Sequence, residues 1–135
     1  MTGPEQEVDQ LFIDYFRDFS NLDLEAIVAY FHLPCTFITP QDVFIYSTSE
    51  EIEGFWAPRS SDLKASEFDH TERSNASIKM LNDNTAMATS LATRYGKDGN
   101  VSERRGATFA CRKTGDGWKI ATVIHHSSDN VMQMR

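Results

Sequence analysis

The feature that most constrains the fold of this chain is a change of pattern near residue 67. Beyond it the chain has long strand-forming runs, and four strands are predicted over residues 68–81, 85–95, 103–113 and 118–127. The connecting segments are rich in Asn, Asp and Gly, which tolerate the positive φ angles of tight turns. Consecutive strands are therefore expected to pair as an antiparallel meander.

Helices are predicted before that change of pattern. Apolar residues recur every three or four positions over residues 4–19, so a first helix is expected there. A shorter second helix, capped by Asn21 or Asp23, is expected to include Phe31 and to stop before Pro34.

A hairpin and a third helix are predicted next. The strand-forming runs 35–39 and 43–46 flank a proline-containing turn, as in a hairpin. Ser and Thr at positions 47–49, followed by two glutamates, predict the start of a third helix. This helix is expected to end before Pro58, because proline lacks the N–H that a helix interior needs.

Composition excludes several classes of partner. The formal net charge of −7 argues against binding to nucleic acid or to anionic membranes. No stretch has the apolar length of a membrane span or an export signal, and Cys35 and Cys111 lie within apolar runs as small hydrophobes do, so a cytoplasmic location is expected. No linker or repeat interrupts the sequence, and residues 1–135 are expected to form a single domain.

Short segments distributed along the chain carry a resemblance to a known superfamily. They are Tyr15-Phe16 with Leu22-Asp23-Leu24-Glu25-Ala26-Ile27, then Ser49-Glu50-Glu51-Ile52, and finally Asp116-Gly117-Trp118-Lys119-Ile120 leading to His125-His126-Ser127. Together with the element order and the length, they resemble SnoaL-like, uncharacterised members of the nuclear transport factor 2-like superfamily over about residues 5–128.

This resemblance implies an α+β, cystatin-like cone, in which a curved antiparallel sheet is wrapped by three helices from the N-terminal half. In such proteins the helices close one mouth of the cone and leave an apolar pocket along the concave face of the sheet. The convex face commonly forms a homodimer, so a homodimer through that face is expected here.

Two adjacent histidines on the last predicted strand are the candidates for proton transfer in such a pocket. Two-residue alternation places Ile120 and His126 on one face, and Val123 and His125 on the other. One of the two histidines must then face inward. A bulge would reverse the choice, so the sequence leaves it open, together with the alternative of a structural role at the strand end.

Other side chains are candidates for the pocket wall or for structural roles. His32 is expected at the C-terminus of the second helix. Arg94 and Arg105 are expected to flank a hairpin, where one of them could bind a carboxylate or pair with the opposite acid Glu103; exposed pairing across the strands is favoured. No metal or cofactor is expected, because the histidines lack metal-ligand spacing. The candidate pocket residues are Tyr15, Phe19, Tyr30, Trp56 and Tyr95.

The leading functional hypothesis is a protein that binds a small apolar or aromatic ligand in its cone. The resemblance also allows a SnoaL-like isomerase, dehydratase or cyclase that uses acid/base chemistry without a cofactor. A homodimeric interaction module is the third hypothesis. Whether the protein is an enzyme is not decided by its sequence, because one scaffold hosts many functions.

Overall fold

The computed structural model describes residues 2–134, which form three α-helices and six β-strands. A 3₁₀ turn, Ser128–Asn130, follows the last strand. In chain order the elements are α1 (Gly3–Ser20), α2 (Leu24–Ala29), β1 (Phe31–Ile38), β2 (Val43–Tyr46), α3 (Ser49–Ala65), β3 (Phe68–Asn82), β4 (Thr85–Gly96), β5 (Val101–Thr114) and β6 (Gly117–His126).

Each helix begins at a side chain that accepts a hydrogen bond from a backbone N–H of the first turn. Thr2 caps α1, Asp23 caps α2, and Thr48 forms a capping box with Glu51 at the start of α3. The first helix then buries one face against the sheet, through Val8, Leu11, Phe12, Tyr15 and Phe16. Within residues 2–134, no helix combines the length and the apolarity needed to cross a bilayer.

The six strands form one curved sheet in the order β2-β1-β6-β5-β4-β3. Strands β3 to β6 pair as the predicted antiparallel meander, and β1 with β2 forms the predicted hairpin. The contact between β1 and β6 is parallel, so the sheet is mixed. The structure therefore confirms the predicted α+β fold of a curved sheet wrapped by three helices, with one parallel strand pair.

The predicted boundary between the second helix and the first strand is wrong. Helix α2 ends at Ala29, and Phe31 already belongs to β1, where it pairs with Ile120 of β6. Only 4% of Phe31 is exposed, so its contacts in the core outweigh the helical spacing that the sequence suggested. His32 consequently lies on a strand rather than at a helix end, and its Nδ1 atom is 2.9 Å from the carbonyl oxygen of Pro34.

The expected end of α3 before Pro58 is also wrong. The helix continues to Ala65, because buried residues on both sides of the proline hold it against the core: Phe55 and Trp56 precede it, and Ser60 follows. Packing thus offsets the cost of an interior proline, which amounts to about 3 kcal/mol. This longer helix covers more of the sheet than the sequence predicts.

The two faces of the sheet are covered by different parts of the chain. Helix α1 packs on the concave face, where the aromatic core lies, and α3 packs beside it. Residues 127–134 lead across the convex face to β3, where Ser77 exchanges two hydrogen bonds of 2.9 and 3.1 Å with the backbone of Met134. Thr89 and Thr108 point away from the helices on this convex face and are nevertheless buried.

Candidate functional site

A cavity of about 260 Å³ lies between α1, α3 and the concave face of β3 to β6. This is slightly below the roughly 300–1,000 Å³ of pockets for drug-sized ligands, so a matching ligand is small. The lining residues are Tyr15, Phe16, Phe19, Trp56, Arg59, Asp62, Leu63, Thr71, Ala92, Arg94, Glu103, Arg105, Ala107, Phe109 and His125.

Two alanines keep this space open. Ala92 on β4 lies opposite Arg105 on β5, and Ala107 on β5 lies opposite His125 on β6. Because an alanine side chain ends at Cβ, the surface of the sheet recedes at these two positions below the helices. A larger side chain at either position would occupy the cavity, since protein interiors leave little spare volume.

Tyr15 is the centre of the aromatic wall. Its ring makes edge-to-face contacts with Phe16, Phe31 and Phe109, at centroid distances of 5.7, 5.9 and 6.4 Å. Burial raises the pKa of Tyr15 above its ordinary value, so the phenol keeps its proton at neutral pH. The residues that the structure describes offer this hydroxyl no hydrogen-bond partner, which leaves it available to a bound molecule.

Charged side chains form one rim of the cavity. The carboxylate of Glu103 accepts a hydrogen bond from Arg94 Nη1 at 2.8 Å and another from Arg105 Nη2 at 2.7 Å. The predicted pairing of an arginine with Glu103 is thus present, but both arginines take part and the group is partly buried on the concave face. One carboxylate is shared between two guanidinium groups.

Arg59 adds a third guanidinium group from α3. Its Cζ atom lies 3.7 Å from the centroid of the Phe55 ring, and its Nη1 atom donates to the Phe55 carbonyl oxygen at 2.6 Å. Asp62, one helical turn further on, is the second acid of the lining. Three guanidinium groups therefore face two carboxylates, and the rim is positive in a protein whose net charge is −7.

His125 is the histidine that faces the cavity, whereas His126 faces the convex side. The strand is not regular: the pairing with β5 shifts at Ala121, so Ile120 and Val123 both lie in the core. This bulge breaks the alternation that the sequence predicts for β6, yet it lies before the histidines and leaves them on opposite faces.

The environment of His125 favours its neutral form. Burial lowers the pKa of His125 to about 4, and the positive charges of Arg105, Arg59 and Arg94 contribute to this shift. A neutral imidazole offers one N–H donor and one acceptor nitrogen. Since the described part of the chain supplies no hydrogen bond to this ring, both are available in the cavity.

His126 is held by the protein itself. Its Nδ1 atom lies 2.9 Å from the carbonyl oxygen of Ser127, which can only accept, so Nδ1 carries a proton. Its Nε2 atom is 2.8 Å from the Thr108 hydroxyl, which is 3.2 Å from the Thr89 hydroxyl. Gly106 makes room for the ring, because a Cβ at that position would lie 2.4 Å from it. His126 is therefore held on the convex side by hydrogen bonds within the protein.

Of the aromatic residues predicted to line the pocket, some face the cavity and others do not. Tyr15, Phe19 and Trp56 line the cavity, whereas Tyr30 and Tyr95 do not. The hydroxyl of Tyr30 donates to Asp18 at the end of α1. Tyr95 stacks on His70 at a centroid distance of 4.9 Å, on the outer side of the sheet.

The charged rim was predicted only in part from the sequence. Arg59 lies beyond Pro58, where no helix was expected, and the arginines of β4 and β5 read as surface residues. A signal was present, because Arg94 and Arg105 share strand parity with the small residues Ala92 and Ala107. In a curved sheet, this shared parity places long arginine side chains next to the space that the two alanines leave open.

Other titratable clusters lie outside the cavity. His70 contacts Asp69 at 2.7 Å and Glu72 at 3.2 Å, and these carboxylates raise the pKa of His70 on the protein surface. Among residues 2–134, no group of three or more His, Cys, Asp or Glu side chains is placed to hold a metal ion. The cavity is thus the site to which the chemistry of the chain points.

A curved sheet wrapped by helices around an internal cavity defines the cone of NTF2-like, cystatin-like folds. Residues 5–128 match the model of the family described as NTF2-like protein (DUF6841). The chain therefore belongs to this NTF2-like family. A search among curated proteins gave no match.

Solved structures show the same fold at low sequence identity. An NTF2-like protein of unknown function from Pseudomonas putida has a TM-score of 0.78 at 15% identity, covering 93% of this chain and 87% of that chain. An NTF2-like protein with a cystatin-like fold from Novosphingobium aromaticivorans has 0.77 at 15%, covering 93% and 82%. Aln2 from a Streptomyces species has 0.77 at 15%, covering 96% and 95%. At these identities the likeness is one of fold alone.

Proposed function

We propose that the chain binds a small, largely apolar molecule in the cavity between α1, α3 and the sheet. The observation that carries the proposal is an aromatic wall beside two polar groups, the Tyr15 hydroxyl and the His125 imidazole, for which the described chain provides no partner. In ligand sites, apolar walls supply most of the contact area and a few polar groups orient the ligand. This cavity has both components.

A fragment screen followed by cavity-filling variants tests the proposal. Small aromatic fragments are expected to raise the melting temperature of the wild-type protein, because binding to the folded state alone stabilises it. Ala92→Leu narrows the cavity and is expected to weaken binding by at least about tenfold, which corresponds to 1.4 kcal/mol. Ala110→Leu, on the opposite face of β5, is the matched control.

The proposal fails if fragments bind equally well to the wild-type protein and to Ala92→Leu and Ala107→Leu variants. Such a result would mean that binding occurs elsewhere on the molecule. Loss of binding in all variants, including Ala110→Leu, would point to a change of fold, and circular dichroism separates that case from a filled cavity.

A SnoaL-like enzyme with acid/base chemistry is the second candidate function. In its favour, His125 combines a cavity position with a perturbed pKa, which is frequent at catalytic sites. Because a base with a pKa of about 4 accepts protons weakly at neutral pH, His125 is better suited to donate a hydrogen bond to a developing oxyanion, with Tyr15 as a second donor. The reaction class would then be isomerisation, dehydration or cyclisation.

Hydrogen exchange on bound ketones tests this enzymatic function. With ketone fragments that bind the cavity, a carboxylate of the lining, Asp62 or Glu103, would take the proton from the carbon next to the carbonyl while His125 and Tyr15 donate to the enolate oxygen. The wild-type protein in D₂O is therefore expected to accelerate exchange at that carbon, as seen by NMR. His125→Gln is expected to abolish the acceleration, and His126→Gln is expected to preserve it. No acceleration for any bound ketone would argue for a pure binding protein.

A homodimer through the convex face is a third proposal, with a second copy of the chain as the partner. Val43, Ile38 and Ile124 lie next to one another across β2, β1 and β6, and 53% of Val43 is exposed. An apolar stripe of this kind is typical of self-association surfaces. Ile45, two residues after Val43 on β2, is 70% exposed on the same face. Light scattering should show a dimer that Ile45→Glu converts to a monomer; a wild-type monomer at all concentrations would contradict the proposal.

A further inference from the structure

We infer that the ligand carries a single carboxylate, which binds to Arg105 and Arg59 at the rim of the cavity beside His125. The inference rests on the proposed binding function and adds the chemical class of the ligand. Its apolar part would lie against Tyr15 and Trp56. The supporting observations are the charge balance of the rim, its unused donors and the state of the histidine.

The charge balance of the rim favours one additional negative charge. Glu103 pairs with both Arg94 and Arg105, and Asp62 is the other acid facing the same space as Arg59. Three positive groups and two negative ones leave an excess of one positive charge. A monoanion would neutralise this excess, whereas a phosphate dianion would reverse it.

The guanidinium groups retain donors for such an anion. Each arginine has five N–H donors, and the bonds to Glu103 use one nitrogen of Arg94 and one of Arg105. The Nε atom of Arg94 is buried and has no partner in residues 2–134. Charge-assisted bonds to a carboxylate are about twice as strong as neutral ones and are often bidentate.

Partial burial strengthens the attraction of the rim for an anion. The side chains of Arg94, Arg105 and Glu103 are 25%, 40% and 39% exposed. Charges in a cleft with low-dielectric walls focus the field more than charges in open water do. The protein as a whole repels anions, so this positive rim is a local exception to its charge.

His125 completes the arrangement from β6. Its neutral imidazole can donate one hydrogen bond to a carboxylate oxygen. A carboxylate that approaches the ring offsets the arginine charges and favours protonation, so anion binding and proton uptake by His125 are coupled. The ligand class expected is therefore an aromatic or aliphatic monocarboxylate small enough for about 260 Å³.

Pairs of acids and amides test this inference. The probes are benzoate with benzamide, 3-phenylpropionate with 3-phenylpropanamide, and indole-3-acetate with indole-3-acetamide, measured by calorimetry on the full chain at pH 7. The acid of at least one pair is expected to bind about tenfold or more tightly than its amide, given the usual strength of hydrogen bonds to charged groups.

The outcomes separate this inference from the proposed function. Equal binding of acid and amide in every pair would overturn the carboxylate assignment and leave the binding proposal intact. No binding by any probe up to its solubility would contradict both. Tighter binding of phenyl phosphate than of every acid would replace the carboxylate by a phosphate and overturn the inference.

Variants on β5 give a result that a merely structural role would not produce. Arg105→Gln is expected to remove the preference for acids by weakening acid binding about tenfold. Arg104→Gln, an exposed neighbour on the other face, is the control and should change neither affinity. Glu103→Gln removes the competing carboxylate and is expected to strengthen acid binding several-fold. Weaker acid binding in a folded Glu103→Gln variant would count against the inference.

Discussion

His125 and His126 are adjacent in the sequence, yet they lie in opposite environments. His125 faces the cavity beside three arginines and has no hydrogen-bond partner in the described chain, whereas His126 is bound to Thr108 and Ser127 on the convex face. The two faces of the sheet thus give neighbouring histidines different surroundings. One ring is available to a ligand, and the other stabilises the structure.

Adding a Cβ atom next to His126, on the convex face, gives the largest expected loss of stability. In Gly106→Ala, the new Cβ would lie 2.4 Å from the His126 ring and 2.6 Å from the Ser127 carbonyl oxygen, so backbone and ring must both shift. The expected destabilisation is about 3 kcal/mol, or roughly 10 °C in melting temperature, measured by thermal unfolding.

Gly54→Ala is the matched control for that variant. Gly54 lies in α3, where an added Cβ meets nothing within 4 Å, so alanine is expected to stabilise by about 0.5–1 kcal/mol. If Gly106→Ala melts at the wild-type temperature, His126 is not packed as described and the contrast between the two rings is lost.

Titrating the cavity histidine gives the next largest effect. Because the folded-state pKa of His125 is about 4 and the ordinary value is about 6.5, the unfolded state binds the proton more readily. Stability linked to His125 is complete above about pH 6.5 and is lost as the pH falls toward 4. The groups facing this histidine around the cavity are Tyr15 from α1, Arg59 and Asp62 from α3, Arg94 from β4, and Glu103 and Arg105 from β5.

Removing the titrating group isolates its contribution. Between pH 6.5 and pH 4, the free energy of unfolding of His125→Gln is expected to fall by about 1–3 kcal/mol less than that of the wild-type protein. Urea unfolding at each pH measures both values. Other groups titrate in this range, so the informative quantity is the difference between the two proteins. An equal loss of stability in wild type and in His125→Gln would contradict the assignment.

Breaking the hydrogen bonds that link Thr89, Thr108 and His126 on the convex face gives the smallest expected loss of stability. Thr108→Val leaves the Thr89 hydroxyl and His126 Nε2 without their shared partner, at a cost of about 1–2 kcal/mol in unfolding free energy. Thr108→Ser keeps the hydroxyl and is expected to be closer to wild type. Fragment binding in the cavity should be unchanged in both, since the chain of hydroxyls lies on the other face.

The fold could be predicted largely from local signals. The turns that connect β3, β4, β5 and β6 contain Asn, Asp and Gly, whose preference for turn conformations is local. The spacing of apolar residues in α1 specifies which face of that helix is buried. The failures lie where distant contacts override such signals. Phe31 joins the sheet because β6 lies beside it, and α3 continues through Pro58 because its next turn packs on the core.

The site was less predictable for the same physical reason. Tyr15 and Trp56 belong to helices whose buried faces can be read from spacing, and both line the cavity. Tyr95 and the arginines needed the register of the sheet, which depends on bulges such as the one at Ala121. The pairing of one of the two arginines with Glu103 was expected, but the position of the pair in the cavity required the curvature of the sheet.

The most direct test of the account is an NMR titration of the two histidines with 3-phenylpropionate, with signals assigned by His125→Gln and His126→Gln. We predict that the Cε1–H signal of His125 shifts saturably and that its apparent pKa rises with added ligand, while the signal of His126 stays in place. A saturable shift of His126 alone, or binding that moves neither signal, would contradict the assignment of the cavity as the binding site.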